Sequence, residues 1–207
     1  MNPLALTFDD GPSSWSPMVL DLLREHGARG TFFVIGARVR QRPDDVKRIV
    51  AEGHELGSHT LTHPRLTEIE EDEVRAEIAG GLDAIEETLG ERPRLFRAPG
   101  FYADRRELEI VEELGLEAVF AHVDPQDWRP ERDSHTIFRL VLDGIKPGAI
   151  VDLHDGFPPP PTTSRVDCTP TLEALDHLLP CLRPEGYEAV TISELRNAEQ
   201  ATAQPSK

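Results

Sequence analysis

The reactive side chains of this sequence gather in five short segments. They are Thr7-Phe8-Asp9-Asp10-Gly11-Pro12, Ser58-His59-Thr60-Leu61-Thr62-His63-Pro64, Arg97-Ala98-Pro99-Gly100, Asp124-Pro125-Gln126-Asp127-Trp128 and His154-Asp155. His59 and His63 are four residues apart, a spacing that in a helical turn sets two imidazoles on one face, ~5–6 Å apart at Cβ. Two such imidazoles suit a zinc ion once a carboxylate joins them. Alone, a pair of exposed helix histidines accounts for the spacing more simply; the Asp9-Asp10 pair in another segment tips the balance toward a metal site. Adjacent buried carboxylates repel each other and lose hydration, so each needs its own partner. Strand alternation would turn one toward a cation and the other elsewhere. Asp-Asp-Gly-Pro is also good turn chemistry, but the apolar run before it and the four other segments favour a site.

The elements that would position these segments alternate. Strands are expected at Leu4–Phe8, Thr31–Ile35, Glu55–Ser58, Leu95–Arg97, Ala118–His122, Ala149–Leu153 and Ala189–Thr191. Helices are expected at Ser16–His26, Pro43–Glu52, Ile69–Leu89, Arg105–Leu114, Ser134–Leu142 and Thr171–Leu182, with a final turn at Ser193–Asn197. Strands alternating with helices of this length indicate βαβ units and a parallel sheet; the pattern fits a lean barrel and a doubly wound sheet equally. In either, functional groups collect where strands end, and the five segments follow five strand ends. One domain is expected over residues 1–197, with 198–207 as a polar, disordered tail. Pro158–Pro161 with Thr-Thr-Ser behind it reads as a stiff loop.

The chain has 207 residues, 22 Lys and Arg against 38 Asp and Glu, and a formal net charge of −16. That excludes the basic footprint of a nucleic-acid binder and disfavours anionic lipid or polymer, leaving a neutral or cationic substrate. A 38% hydrophobic content supports a core rather than disorder. No apolar run reaches the ~18 residues of a membrane span. The opening Met-Asn-Pro-Leu-Ala-Leu-Thr-Phe has no basic n-region and no h-region. A cytoplasmic protein is expected if this is the whole chain, and a secreted one if it was trimmed from a longer chain. Cys168 and Cys181 make neither a disulfide framework nor a thiolate metal site. Nothing points to a protein partner.

The five segments, the last taken as Leu153-His154, in this order and spacing resemble the motifs of the polysaccharide deacetylase or NodB-homology domain of carbohydrate esterase family 4, over about residues 4–196. The resemblance implies an α/β fold, an irregular (β/α) barrel with fewer than eight parallel strands. It implies a metal-dependent hydrolase acting on a linear amide, removing N-acetyl groups from a glycan, oligosaccharide or amino sugar with release of acetate. Carried over residue by residue, it makes Asp10, His59 and His63 the ligands of a divalent ion, zinc first, with cobalt and nickel as alternatives. Asp9 would be the general base, Arg97 its orienting partner, His154 the general acid and Asp127 the carboxylate that holds His154. Gly100 stands where a backbone N–H would serve as oxyanion donor, with the motif's usual Tyr replaced, and Trp128 would floor the pocket or stack on a sugar.

The chain departs from the motif at Asp152, where the family carries a Leu that walls the acyl pocket. Strand alternation puts Asp152 on the face of His154. Either it alters substrate choice, toward a cationic or hydroxyl-rich ligand, or it pairs with a nearby Arg and only shapes the wall. An O-acetyl esterase of xylan-type substrates would use the same site. A non-catalytic glycan-binding domain is a further alternative, though binding alone would not need base, acid, ligands and orienting Arg together.

Overall fold

The computed structural model describes residues 1–158 and 167–203. The stretch 159–166, which holds most of the expected proline loop, and residues 204–207 lie outside the described residues. The strands are β1 (Asn2–Gly11), β2 (Gly30–Val34), β3 (Glu55–Ser58), β4 (Leu95–Phe96), β5 (Glu117–Ala118), β6 (Ile150–His154) and β7 (Tyr187–Val190). The helices are α1 (Ser16–Glu25), α2 (Gly36–Gln41), α3 (Pro43–Ala51), α4 (Glu71–Leu89), α5 (Arg105–Glu113), α6 (Ser134–Gly144), α7 (Thr169–Leu182) and α8 (Ile192–Ala203). Among the described residues the sheet has seven strands in the order β5-β4-β3-β2-β1-β6, with β7 also paired to β1. Every pairing is parallel. The segment after β5 then crosses to the far edge: Val123 bridges Val151 of β6, and its carbonyl accepts the Asp152 N–H at 2.8 Å. That contact curls the sheet toward closure and gives the barrel, not the doubly wound sheet.

Alternation along the strands sorts the barrel's two faces. Leu4, Leu6 and Phe8 of β1 point outward and pack beneath α1, α3 and α7 through Val19, Leu20, Leu23, Val46, Ile49 and Leu175. Ala5 of β1 points inward with Phe33, Leu95, Val119, Ile150 and Val190, an apolar plug inside the barrel in which Phe33 reaches the level of Asp9. The same inward rows continue upward through Thr7 and Asp9 on β1 and Asp152 and His154 on β6, so the interior changes from apolar to polar as the strands end. Helix α4 shows how the sequence specifies its cover: Val74, Ile78, Leu82 and Ile85 recur at helical spacing and are buried. The Glu73 carboxylate accepts the Glu70 N–H at 3.1 Å, and Gly90 ends the helix at φ 80°.

Three expectations change. Helix α2 follows β2 directly; six residues carry too little periodicity to be read from sequence. The expected turn at Ser193–Asn197 is the start of α8, which continues to Ala203, into the stretch expected as a disordered tail. Its buried Ile192 and Leu195 join the apolar plug, which gives the helix a reason to be ordered. The expected strand at Ala118–His122 is only two residues long, because the chain leaves the sheet there to bridge β6.

Candidate active site

Strand β1 ends irregularly. Its register against β2 shifts between Asp9 and Gly11, and Asp10 has φ 69°. The two carboxylates are therefore separated by a bulge, not by strand alternation as expected, and both reach the cavity at the barrel mouth. Gly11 is required beside them, since a Cβ there would lie 2.5 Å from the Asp155 carboxylate oxygens.

Beyond β3 the chain forms a loop, not the helical turn expected for His59 and His63. Thr60 and His63 take φ 65° and 69°, and the two rings meet edge to face with centroids 4.9 Å apart. Thr60 Oγ1 accepts the His63 N–H at 3.0 Å, and the Glu77 carboxylate accepts the N–H of Thr62 at 2.8 Å, so the loop is tied both to itself and to α4. His59 Nδ1 lies 2.8 Å from the Arg97 carbonyl. That bond sets Nδ1 as the protonated nitrogen and leaves the Nε2 lone pair toward the cavity. Burial, with the neighbouring His63 charge, pushes the His59 imidazole down to about 3, so it stays neutral.

Asp10, His59 and His63 present ligand atoms within 4.8 Å of one another. His63 Nε2 is 3.1 Å and His59 Nε2 3.6 Å from Asp10 Oδ1. Asp10 Oδ1 is buried without a hydrogen bond of good geometry. Burial raises the Asp10 carboxyl, but His63 above all, then His154 and His59, outweigh it and hold the group below the usual carboxylate range. A buried, charged, unsatisfied oxygen facing the Nε2 atoms of two imidazoles is a donor set that fits a divalent cation. Asp9, Asp152 and His154 also cluster within 4.8 Å. There the Arg97 guanidinium already supplies the positive charge to both carboxylates, so that group does not fit a second ion.

Arg97 is fully buried, with its guanidinium 4.1 Å from the Phe33 ring centre. Nη1 donates to Thr7 Oγ1 at 2.7 Å, Asp9 Oδ1 at 2.8 Å and Asp152 Oδ1 at 3.0 Å. The structure thus brings Asp9 and Arg97 together, and it pairs Asp152 with the same arginine. Burial and the Asp9 charge push the Asp152 carboxyl well above the usual range, with Arg97 pulling the other way.

On the opposite wall, His154 Nδ1 is 2.7 Å from Asp127 Oδ1. Asp127 Oδ2 accepts the His154 N–H at 2.9 Å and the Thr171 hydroxyl at 2.8 Å. Burial opposes the charge on His154, but the Asp127 carboxylate and its hydrogen bond carry the imidazole well above its ordinary value. The cavity between these walls holds about 570 Å³ and is lined by Asp9, Asp10, His59, His63, Asp152 and His154, with Gly100 and Trp128 among the rim residues. Gly100 is exposed at φ 59°, and the Arg129 guanidinium covers the Trp128 ring at 5.1 Å. All ten residues singled out in the sequence meet around this cavity except Arg97 and Asp127, which stand directly behind lining residues.

Known proteins share this sequence pattern and this fold. The family described as "Polysaccharide deacetylase" matches residues 2–119. A chitooligosaccharide deacetylase of Bradyrhizobium sp. (strain ANU 289) is 43% identical, covering 92% of this chain and 89% of its own. The chain belongs to the polysaccharide deacetylase family. A peptidoglycan-N-acetylglucosamine deacetylase of Bacillus cereus is 40% identical over 93% of this chain and 87% of its own. Among solved structures, the peptidoglycan deacetylase PdaC from Bacillus subtilis superposes with a TM-score of 0.85 at 31% identity, over 97% of this chain and 93% of that one. This polysaccharide deacetylase fold thus spans nearly the whole of the described chain, the curled sheet included. No helix among the described residues is long and apolar enough to cross a membrane.

Sequence reasoning passed over three supports of the site. Thr7 holds Arg97 and gives its own hydroxyl proton to the Val151 carbonyl at 2.6 Å. Thr171 holds Asp127 from the start of α7. Asp155, fully buried, takes the Ser16 hydroxyl on Oδ2 and the Ser13 hydroxyl on its carbonyl, locking β6 to the entry of α1. A second acidic residue directly after His154 was the signal for Asp155. Thr7 opens the first of the five segments, two residues before Asp9, whereas Thr171 sits in no such segment and gave no signal. The cysteines are both free, Cys168 being buried.

Proposed function

We propose that the protein hydrolyses N-acetyl groups of an N-acetylated oligosaccharide or amino sugar, releasing acetate and a free amine. Asp10, His59 and His63 would hold a divalent ion, zinc by its match to one carboxylate and two imidazoles. When bound, such an ion acts as a Lewis acid toward the amide carbonyl and lowers the pKa of water. Asp9, kept in place by Arg97, accepts a proton from the attacking water as its oxygen bonds to the acetyl carbon. His154 gives its proton to the amide nitrogen as the C–N bond breaks. The Gly100 backbone N–H is the donor available for charge developing on the carbonyl oxygen, and Trp128 offers an aromatic face to a sugar ring.

The observation that carries the reading is the pairing of His154 with Asp127 at 2.7 Å, opposite the Asp9–Arg97 pair at 2.8 Å. An amide nitrogen leaves only after protonation, whereas an ester alkoxide depends on it less. A histidine held protonated by a buried carboxylate therefore favours amide over O-acetyl ester cleavage. A mass-spectrometric screen of zinc-loaded protein, with and without chelator, on chitin oligomers, peptidoglycan fragments, acetylxylan and acetylated amino sugars tests this. Chelator-sensitive acetate release from an N-acetyl sugar is expected. Failure on all of these substrates would leave a glycan-binding domain as the better account.

A further inference from the structure

Asp152 lies two residues before His154 on β6, pairs in register with Thr7, and so sits one layer beneath the level of Asp9 and His154. At strand geometry that is about 6–7 Å deeper in the barrel. One layer further down, Ala5 and Ile150 pair in register and belong to the apolar plug. Among the described residues the cavity is also lined by Arg65, Tyr102, Gln126 and Trp128, all outside the strands. These loop residues offer the aromatic and polar surface suited to a sugar. With the sugar seated there, the small acyl end of the substrate points down, toward the layer that holds Asp152.

That layer is polar. Asp152 is 2% exposed and still lines the cavity. Its Oδ1 takes the Arg97 bond, and among the described residues Oδ2 has no hydrogen-bond partner. A methyl group set against this oxygen offers it nothing, whereas a hydroxyl can donate to it. We infer that Asp152 makes this protein select a hydroxylated acyl group, of the N-glycolyl type, over a plain N-acetyl group. This rests on the amide-hydrolysing reading above, and the reaction is the same: water's oxygen bonds to the acyl carbon, the C–N bond breaks, its electrons and a proton go to the amine, and glycolate leaves in place of acetate.

The test compares zinc-loaded wild type, D152L and D152N on matched N-glycolyl and N-acetyl chitotetraoses, and measures glycolate and acetate binding by calorimetry. In the wild type the glycolyl-to-acetyl ratio of kcat/KM should exceed that of D152L by about 10-fold or more, the discrimination expected when a buried polar group loses its partner. D152N keeps a polar end of the same size and should stay within about 3-fold of the wild type. Glycolate should bind the wild type more tightly than acetate, and D152L should bind the two alike. An unchanged ratio in D152L overturns the inference, as does wild-type protein that binds glycolate no better than acetate, a result that stands even if D152L does not fold. If the wild type hydrolyses neither amide, the hydrolase reading fails and the inference with it. N-acetyl hydrolysis with a ratio indifferent to residue 152 overturns only the inference.

Discussion

Replacing Arg97 by Met tests whether one buried guanidinium holds the site together. Met keeps an apolar stem of similar length against Phe33 and Phe101 and removes only the charge and its donors. The loss strands two carboxylates at once, since Nη1 is the shared donor of Asp9 at 2.8 Å and Asp152 at 3.0 Å, both groups being nearly without solvent contact. Removing one partner of a buried pair costs about 3–5 kcal/mol. In a chain of this size each kcal/mol moves Tm by about 2–4 °C, so R97M should melt roughly 6–20 °C lower. Adding D152L to R97M removes one of the stranded carboxylates and should recover part of that fall. D152L alone leaves Arg97 still bonded to Asp9 and Thr7, so it should cost less than R97M. Differential scanning fluorimetry at neutral pH, backed by urea unfolding, measures all four proteins. A fall under about 4 °C in R97M, or a double variant no more stable than R97M, would refute the claim that Arg97 neutralises the Asp9–Asp152 layer.

Burial lifts Asp155 to about 7, with the Ser16 hydrogen bond opposing and the Asp10 and Asp9 charges adding. The folded state thus binds that proton more tightly than the unfolded chain does. Metal-free wild type should lose stability as pH rises from about 4 to about 7, and D155N should lose less over that range; equal slopes in urea melts would contradict this. Asp127 raises His154, so D127N should move the alkaline limb of the rate to lower pH. The stability that pairing lends is full below the imidazole's ordinary ~6.5 and lost as pH rises through its raised folded value. D127N should lack it, as melts on either side of neutrality will show. His59→Ala should lose bound zinc by elemental analysis. Asp9→Asn should keep zinc yet lose about 10²–10⁴-fold in turnover; near-native turnover in that variant would remove Asp9 as the base.

The parts of the fold that were legible in the sequence are those with a repeating signal. The apolar run before Asp9 and the Val74, Ile78, Leu82 and Ile85 spacing mark β1 and α4 because each repeats one periodicity long enough to be seen. The candidate site residues stand out because they cluster at strand ends, and the structure brings them around one cavity. Backbone conformation was not legible. The bulge that turns Asp10 beside Asp9 and the positive φ of Thr60 and His63 are set by neighbours distant in sequence, such as Asp155 and Glu77. Spacing alone therefore suggested a helix where a loop stands. Curling of the sheet depends on the Val123–Val151 bridge, a contact that no local pattern in either segment foretells.

The charge of −16 and the chemistry of the site separate once burial is considered. Acidic residues on α4 such as Glu71, Asp72 and Glu86 face solvent, where their field is screened within ~8 Å at physiological salt. Inside the barrel Asp9, Asp10, Asp127 and Asp152 lie beneath that screening, and each has a different neighbour: Asp9 the guanidinium, Asp10 the two imidazoles, Asp127 the His154 ring, Asp152 a share of Arg97. Four carboxylates of one chemical type are thus driven apart by their surroundings. Asp10 is held low, Asp152 is pushed high, and Asp127 transfers its effect to His154. Of these four, only Asp152 combines a raised affinity for protons with a place on the cavity wall. It is the carboxyl in this layer suited to act as a hydrogen-bonding wall instead of as a ligand, a base or an orienting group.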